Sequence, residues 1–228
     1  KLIISKSTFG FDDDAIAKVD KDGKILFIKS ISEMLSENEI INETLFLDND
    51  PTHLNDIEPA FENTNHWKKG DLFISIAHQS AIIHYRPSTN KIINYIRGPF
   101  YMQHDVDIIS DKEISIFNNN NSVLKNSKFS EVVIYNFETK TFSKKFNQQL
   151  QNENFKTKYQ GLAEILKDSS MLIEESLHGR LILFNKDGEK EWEFVNKDKK
   201  GDIYFISWSR IIEDIDFIKK IKNKIEKT

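Results

Sequence analysis

His53-Leu54-Asn55-Asp56-Ile57-Glu58 is answered further along the chain by His104-Asp105-Val106-Asp107-Ile108-Ile109 and by Gly161-Leu162-Ala163-Glu164-Ile165-Leu166. An acidic residue followed by Ile returns at the same place in each stretch. A second apolar segment follows each one: Asp71 to Ala77, Glu113 to Phe117, and Met171 to Glu175. Each of these runs into a strand-turn-strand segment: Ala81 to Ile96 turning at Ser88-Thr89-Asn90, Val132 to Phe146 turning at Glu138-Thr139, and Leu181 to Val195 turning at Asp187-Gly188. A fourth hairpin, Ile16 to Ile28, turns at Asp22-Gly23 near the start. Asp-Gly between apolar runs is a strong hairpin signal, because Gly accepts the positive φ that matches strand twist. Strand, strand, hairpin makes four strands per unit, the make-up of a β-propeller blade. Alternation is imperfect along Ile114 to Phe117 and Leu181 to Phe184, as expected for strands buried on both faces between packed sheets.

The reading is an all-β chain of four-stranded antiparallel blades, about three full ones plus part of a fourth, over residues 1–210. Closed propellers need four to eight blades. The expectation is therefore a fragment with blades missing before Lys1, a compact four-bladed ring being the alternative. Ser30 and Glu33 stand in capping-box spacing ahead of a short helix. Residues 211–228 place Ile211, Ile215, Ile218, Ile221 and Ile225 at helical spacing between lysines, which reads as a terminal amphipathic helix docked on the domain rather than on a membrane surface.

Composition narrows the function classes. The 228 residues carry a net charge of −4 with both signs interspersed and no broad basic stripe, so nucleic acid is a poor partner. No apolar run reaches the length of a membrane span. The absence of cysteine excludes disulfides, thiolate metal sites and cysteine nucleophiles.

Propeller geometry turns the repeat into a statement about a site. The start of a blade's first strand and the end of its antiparallel second strand share one face. His53 and His104 open first strands, while His78 and His178 follow second strands. These are four of the six histidines, and Asn55, Asp56, Asp105, Gln79 and Arg180 lie close by in sequence. Asn118 to Asn121 hold the matching place between them. Asp56, Asp107 and Glu164 recur in every unit and read as acids that tie neighbouring strands together. His53 and His104 are missing from the third unit, which points to function. His84 reads as a packing residue inside a strand, His66 as a surface loop residue, and Trp192 and Trp208 as core or blade-interface residues.

Asp50-Pro51-Thr52-His53-Leu54-Asn55-Asp56-Ile57-Glu58-Pro59, Gly70-Asp71-Leu72-Phe73-Ile74-Ser75, Gly98-Pro99-Phe100 and Gln103-His104-Asp105, taken in order, resemble the arylsulfotransferase family of six-bladed propellers. Ala77-His78-Gln79-Ser80-Ala81-Ile82, Phe117-Asn118-Asn119-Asn120 and Gly179-Arg180 with Asp187-Gly188 and Trp192-Glu193-Phe194 extend the likeness over roughly Ala15 to Arg210. The resemblance implies that the chain corresponds to the later blades. It implies transfer of a sulfuryl group between phenols through a sulfohistidine, without a nucleotide sulfate donor or any other cofactor. The partners it implies are aryl sulfates and phenols, and the compartment is periplasmic or otherwise outside the cytoplasm. On this resemblance His53 and His104 bind and polarise the sulfuryl group, and His178 stands where the nucleophile is expected. Asn55, His78, Gln79, Asp105, Asn119 and Arg180 are the candidate substrate-binding residues. The family's arginine after the Phe117 strand is replaced by Ser122, with Lys125 near. Two other readings stay open: a non-catalytic propeller that binds a ligand or protein on the same face, and a metal site built from His53, His104 and acids.

Overall fold

The computed structural model describes residues 2–8, 11–40, 49–121 and 128–226. Ser122 and Lys125 lie outside them. All sheets are antiparallel. Strands β1 (Leu2–Thr8), β2 (Phe11–Val19) and β3 (Ile25–Ser30) form a three-stranded sheet. Three four-stranded sheets follow. The second sheet contains β4 (Leu54–Pro59), β5 (Leu72–Ile76), β6 (Ala81–Arg86) and β7 (Lys91–Arg97). The third contains β8 (Val106–Ile108), β9 (Glu113–Asn118), β10 (Glu131–Asn136) and β11 (Thr141–Lys145). The fourth contains β12 (Leu162–Ile165), β13 (Met171–Glu175), β14 (Arg180–Phe184) and β15 (Lys190–Val195). Within each of these three, neighbours in sequence are neighbours in the sheet, so these are propeller-type blades, and the four hairpins fall where their turn residues put them.

Blade packing explains the imperfect alternation. On β5 and β6, Ile74, Ile76, Ala81, Ile83 and Tyr85 join Ile16, Ile31, Met34 and Leu35 in one apolar cluster on the side of the first sheet. The intervening Phe73 and Ile82 point the other way, into a cluster with Val106, Ile114, Ile116 and Val133 of the third blade. Phe117 and Val132 pack in turn against Ala163, Met171, Ile173 and Ile182 of the fourth. Central strands thus need apolar side chains on both faces, each contributing about 1.5–3 kcal/mol when fully buried. His84 is fully buried among them. Its Nε2 donates to Asp71, its Nδ1 accepts from Asn94, and Phe73 stacks on its ring, so it is a satisfied packing residue as expected.

Acids tie each sheet to the next, and the last sheet to the segment that follows it, through a backbone amide. Asp14 accepts from Leu54 N, Asp56 from Val106 N, Asp105 from Ala163 N and Glu164 from Ile211 N. The structural reading of Asp56 and Glu164 therefore holds. In the third blade the tie is made by Asp105, two residues ahead of the repeating Asp107.

Among the described residues three α-helices complete the fold. In α1 (Ile31–Glu37) the Ser30 side chain accepts from Glu33 N, the cap anticipated from the spacing. Helix α2 (Asn147–Asn152) was not foreseen. Helix α3 (Ile215–Ile225) begins after Asp214, whose carboxylate accepts from Asp216 N and Phe217 N. None of its residues is buried, so the docking expected for this helix is not seen. Residues 197–211 instead run back over the fourth blade as a strap, with Ile206 N bonded to Ser176 O and Ser209 N to Glu174. Among the described residues no helix is long and apolar enough to cross a membrane.

Candidate functional site

The N-terminal ends of the three inner strands meet at one cavity of about 390 Å³. His53 to Asp56 come from the start of β4, His104 and Asp105 from the approach to β8, and Tyr159 to Leu162 from the approach to β12. The strap closes one side with Ser207, Trp208 and Arg210. A larger cleft of about 700 Å³ lies at the other ends of β4 and β8. Its lining includes Glu58, Glu62 and Asp111 and no cationic side chain.

Of the residues singled out from sequence, His53, His104, Asn55 and Asp105 line the cavity. His53 adopts φ +49°, unusual for a residue with a Cβ and costly unless the surroundings enforce it. They do so through Ala77 N, which donates to His53 O, and through Asp50, whose Oδ1 accepts His53 N at 3.0 Å. The other oxygen, Oδ2, pairs with the imidazole Nδ1. With the proton held on Nδ1, the lone pair of His53 lies on Nε2, which has no hydrogen-bond partner among the described residues. A carboxylate in this position fixes tautomer and ring orientation. His78 stacks on His53 with centroids 4.5 Å apart, and its Nδ1 faces the carbonyl of Asp50.

His104 is placed differently. Its Nε2 accepts the Gln160 N–H at 2.9 Å and its Nδ1 faces Asn119 Oδ1 at 2.8 Å. The Asn119 amide cannot be turned around, because its Nδ2 donates to the carbonyls of Thr157 and Gln160. Nδ1 of His104 must therefore carry the proton and Nε2 must be bare, and both nitrogens are spoken for. Burial pushes its pKa below the usual histidine value and the charge of His53 acts the same way, against the Asn119 and Met102 oxygens. His104 is a neutral clip between the third blade and the loop ahead of β12.

The remaining candidates lie outside the cavity lining. Gln79 is buried and donates to Pro51 O at 2.7 Å. Asn119 is buried in the network just described. His178 ends a 3-10 turn, largely exposed, with Nδ1 2.9 Å from Glu175. Arg180 pairs with Glu175 at 2.7 Å and donates to the carbonyl of Glu153. Asn55, unlike these, does line the cavity, and its side chain donates to Gln103 O. Asn118 accepts from Tyr101 N and Asn120 N, so the asparagine run is largely a backbone-capping device.

Several lining residues had not been singled out as functional, Glu174 with its carboxylate among them. Tyr159 and Trp208 bring aromatic faces, and Arg210, 5.3 Å above the Trp208 ring, brings a guanidinium. Trp208 was expected in the core or at a blade interface. It is 62% exposed, because the strap turns at φ +64° there and holds the indole at the cavity. Trp192, also expected inside, is 46% exposed on the outermost strand of its blade. No local pattern marks the strap residues, since a docking segment without periodic apolar positions leaves no sequence signal.

A carboxylate pair lies beside the cavity. Asp107 is driven up to about 8, first by burial, then by the charges of Asp105 and Glu58 and a hydrogen bond with Asp105. It holds its proton at neutral pH and shares a hydrogen bond with Asp105, whose Oδ2 also accepts Ala163 N.

The metal reading takes a different form in three dimensions. Among the described residues, the group whose ligand atoms converge is Asp50, His53 and His78, all within 4.8 Å of one another, and His104 is not part of it.

No curated protein sequence matches the chain. Among solved structures, a protein of unknown function from Bacteroides caccae aligns with a TM-score of 0.51 at 13% identity, covering 79% of this chain and 59% of that one. That likeness speaks for the fold alone. The sequence profile described as Arylsulfotransferase (ASST) matches residues 2–197, through the last strand of the fourth blade. With its blades in that order and its inner-strand histidines at a common mouth, the chain belongs to the arylsulfotransferase family.

Proposed function

We propose that the cavity transfers a sulfuryl group from an aryl sulfate to a phenol through His53. The observation that carries this reading is the Asp50–His53 pair, which leaves Nε2 as a nucleophile in a cavity also lined by Arg210, Tyr159 and Trp208. Nε2 attacks the sulfur of the donor. The N–S bond forms as the bond from sulfur to the aryl oxygen breaks, and the phenolate departs. The ring, still protonated on Nδ1, becomes positive, and Asp50 balances that charge. Arg210 offsets the charge on the sulfuryl oxygens, while Tyr159 and Trp208 offer faces for the aryl group. The oxygen of a phenol acceptor then attacks the same sulfur, the N–S bond breaks, and the acceptor's proton balances the one taken up by the first phenolate. His178 has no part in this scheme, since it does not line the cavity. His104 positions the Tyr159-Gln160-Gly161 loop rather than contacting the sulfuryl group.

The full chain mixed with p-nitrophenyl sulfate and phenol is expected to release nitrophenol and to retain labelled sulfate on the protein when phenol is withheld. His53→Ala should lose both. Retained label in that variant defeats the assignment. A second reading, a propeller that binds aryl sulfates without turning them over, is favoured by the locked state of His104. It predicts binding of the sulfate with no nitrophenol release and no protein-bound label.

A further inference from the structure

We infer that Asp50, His53 and His78 form a binding site for a divalent transition metal ion of the Zn²⁺ class. The three offer two imidazole nitrogens and one carboxylate oxygen, the donor set that suits borderline metals, and these atoms lie within 4.8 Å of one another. Four-coordinate zinc has bonds of about 2.0–2.2 Å to such ligands, so drawing the three together needs side-chain rotation that opens the His53–His78 stack. Both Nδ1 atoms already face Asp50, that of His53 toward the carboxylate and that of His78 toward the main-chain carbonyl. An ion between them displaces these hydrogen bonds, and each neutral ring keeps its single proton by carrying it on Nε2.

The surroundings hold the ligands in place before any ion arrives. Buried Gln79 clamps Pro51 O, and Thr52 Oγ1 donates to Asp14 at 2.8 Å. The amides of Ala77 and His78 donate to the carbonyls of His53 and Thr52. Segments 50–53 and 77–79 therefore move as one unit, and the unusual φ of His53 is enforced by that unit. Ligands supported in this way lose little freedom on binding. The inference does not need sulfuryl transfer to be correct. If both hold, they exclude one another, because the ion and the sulfuryl group compete for the same imidazole.

The test is calorimetric titration of the full chain with ZnCl₂, and the absorption spectrum with CoCl₂, both without aryl sulfate. One ion per chain is expected, with visible cobalt bands of a low-symmetry four- or five-coordinate site. Asp50→Asn and His78→Ala should each weaken binding about tenfold or more. His78→Phe keeps a ring against His53 and removes only the nitrogens, and it should weaken binding equally. His178→Ala should change nothing. Absence of binding at millimolar zinc overturns the assignment, as does binding that survives all three replacements. Wild-type binding that disappears in His178→Ala also overturns it, because the ion then sits on the exposed Glu175–His178 pair. Since no substrate is present, failure of this site and failure of sulfuryl transfer are read separately.

Discussion

His53 and His104 open equivalent strands of neighbouring blades and face one cavity, yet they are in opposite chemical states. His53 has a carboxylate behind it and a bare nitrogen ahead of it. His104 has a bare nitrogen too, but a backbone amide fills it. The difference begins with a single residue. In the second blade Leu54 pairs with Ile76 and Asp56 with Ser75, so Asn55 is an extra residue bulged out of β4. In the third blade Val106 and Asp107 pair with Ile116 and Ser115 without a break. The bulge shifts His53 by one position relative to His104. A shift of one residue in a strand changes which groups a side chain meets. A shared place in a repeat therefore does not imply a shared role.

The sharpest way to break this comparison is to remove each imidazole in turn. His53→Ala should lower nitrophenol release on the order of 10³-fold or more, while KM for the aryl sulfate changes little. Asp50→Asn should follow, with a loss on the order of 10²-fold. Its amide donates to Nδ1 and forces the proton onto Nε2, the wrong tautomer for attack. His104→Ala should act mainly on KM, raising it about tenfold, and on stability. It strands the buried Asn119 Oδ1, at about 1–3 kcal/mol for a group left unsatisfied in a buried place, and takes from the exposed Gln160 amide its acceptor. If His104→Ala matched His53→Ala in kcat with an unchanged KM, the two histidines would share the chemistry and the contrast would fail.

Asp107 offers a pH test of the channel wall. Its folded pKa of about 8 stands above the ordinary 3.8, so the native chain binds this proton more tightly than the unfolded one. Wild-type stability from this group is complete below pH 3.8 and is lost as pH rises through about 8. Asp107→Asn keeps a permanent donor toward Asp105. Its Tm relative to wild type should therefore rise from pH 4 to pH 8, by about a few degrees. A gap that does not vary with pH would mean that Asp107 is ionised throughout. The smallest effect belongs to His178→Ala, for which transfer should stay within about twofold, as expected for an exposed histidine paired with its own turn.

Local chemistry carried the blade pattern into the sequence. Asp22-Gly23 and Asp187-Gly188 turn the chain wherever they stand, and strands buried on both faces need Ile, Val and Phe in succession. The cap at Ser30 was legible for the same reason. Placement of His53 and His104 at one mouth also followed, because propeller repeats bring equivalent strand ends together. The states of those two histidines did not follow, because a bulge, the fixed amide of Asn119 and the carboxylate of Asp50 decide them through contacts across 3 to 56 residues of chain. Nor did Arg210 and Trp208, which reach the cavity on a strap held by Glu164 and Glu174. Repeats and turns are written in neighbouring residues and can be read there. Proton positions and the closing of a cavity depend on which distant groups come within hydrogen-bonding range, and only the folded chain sets those distances.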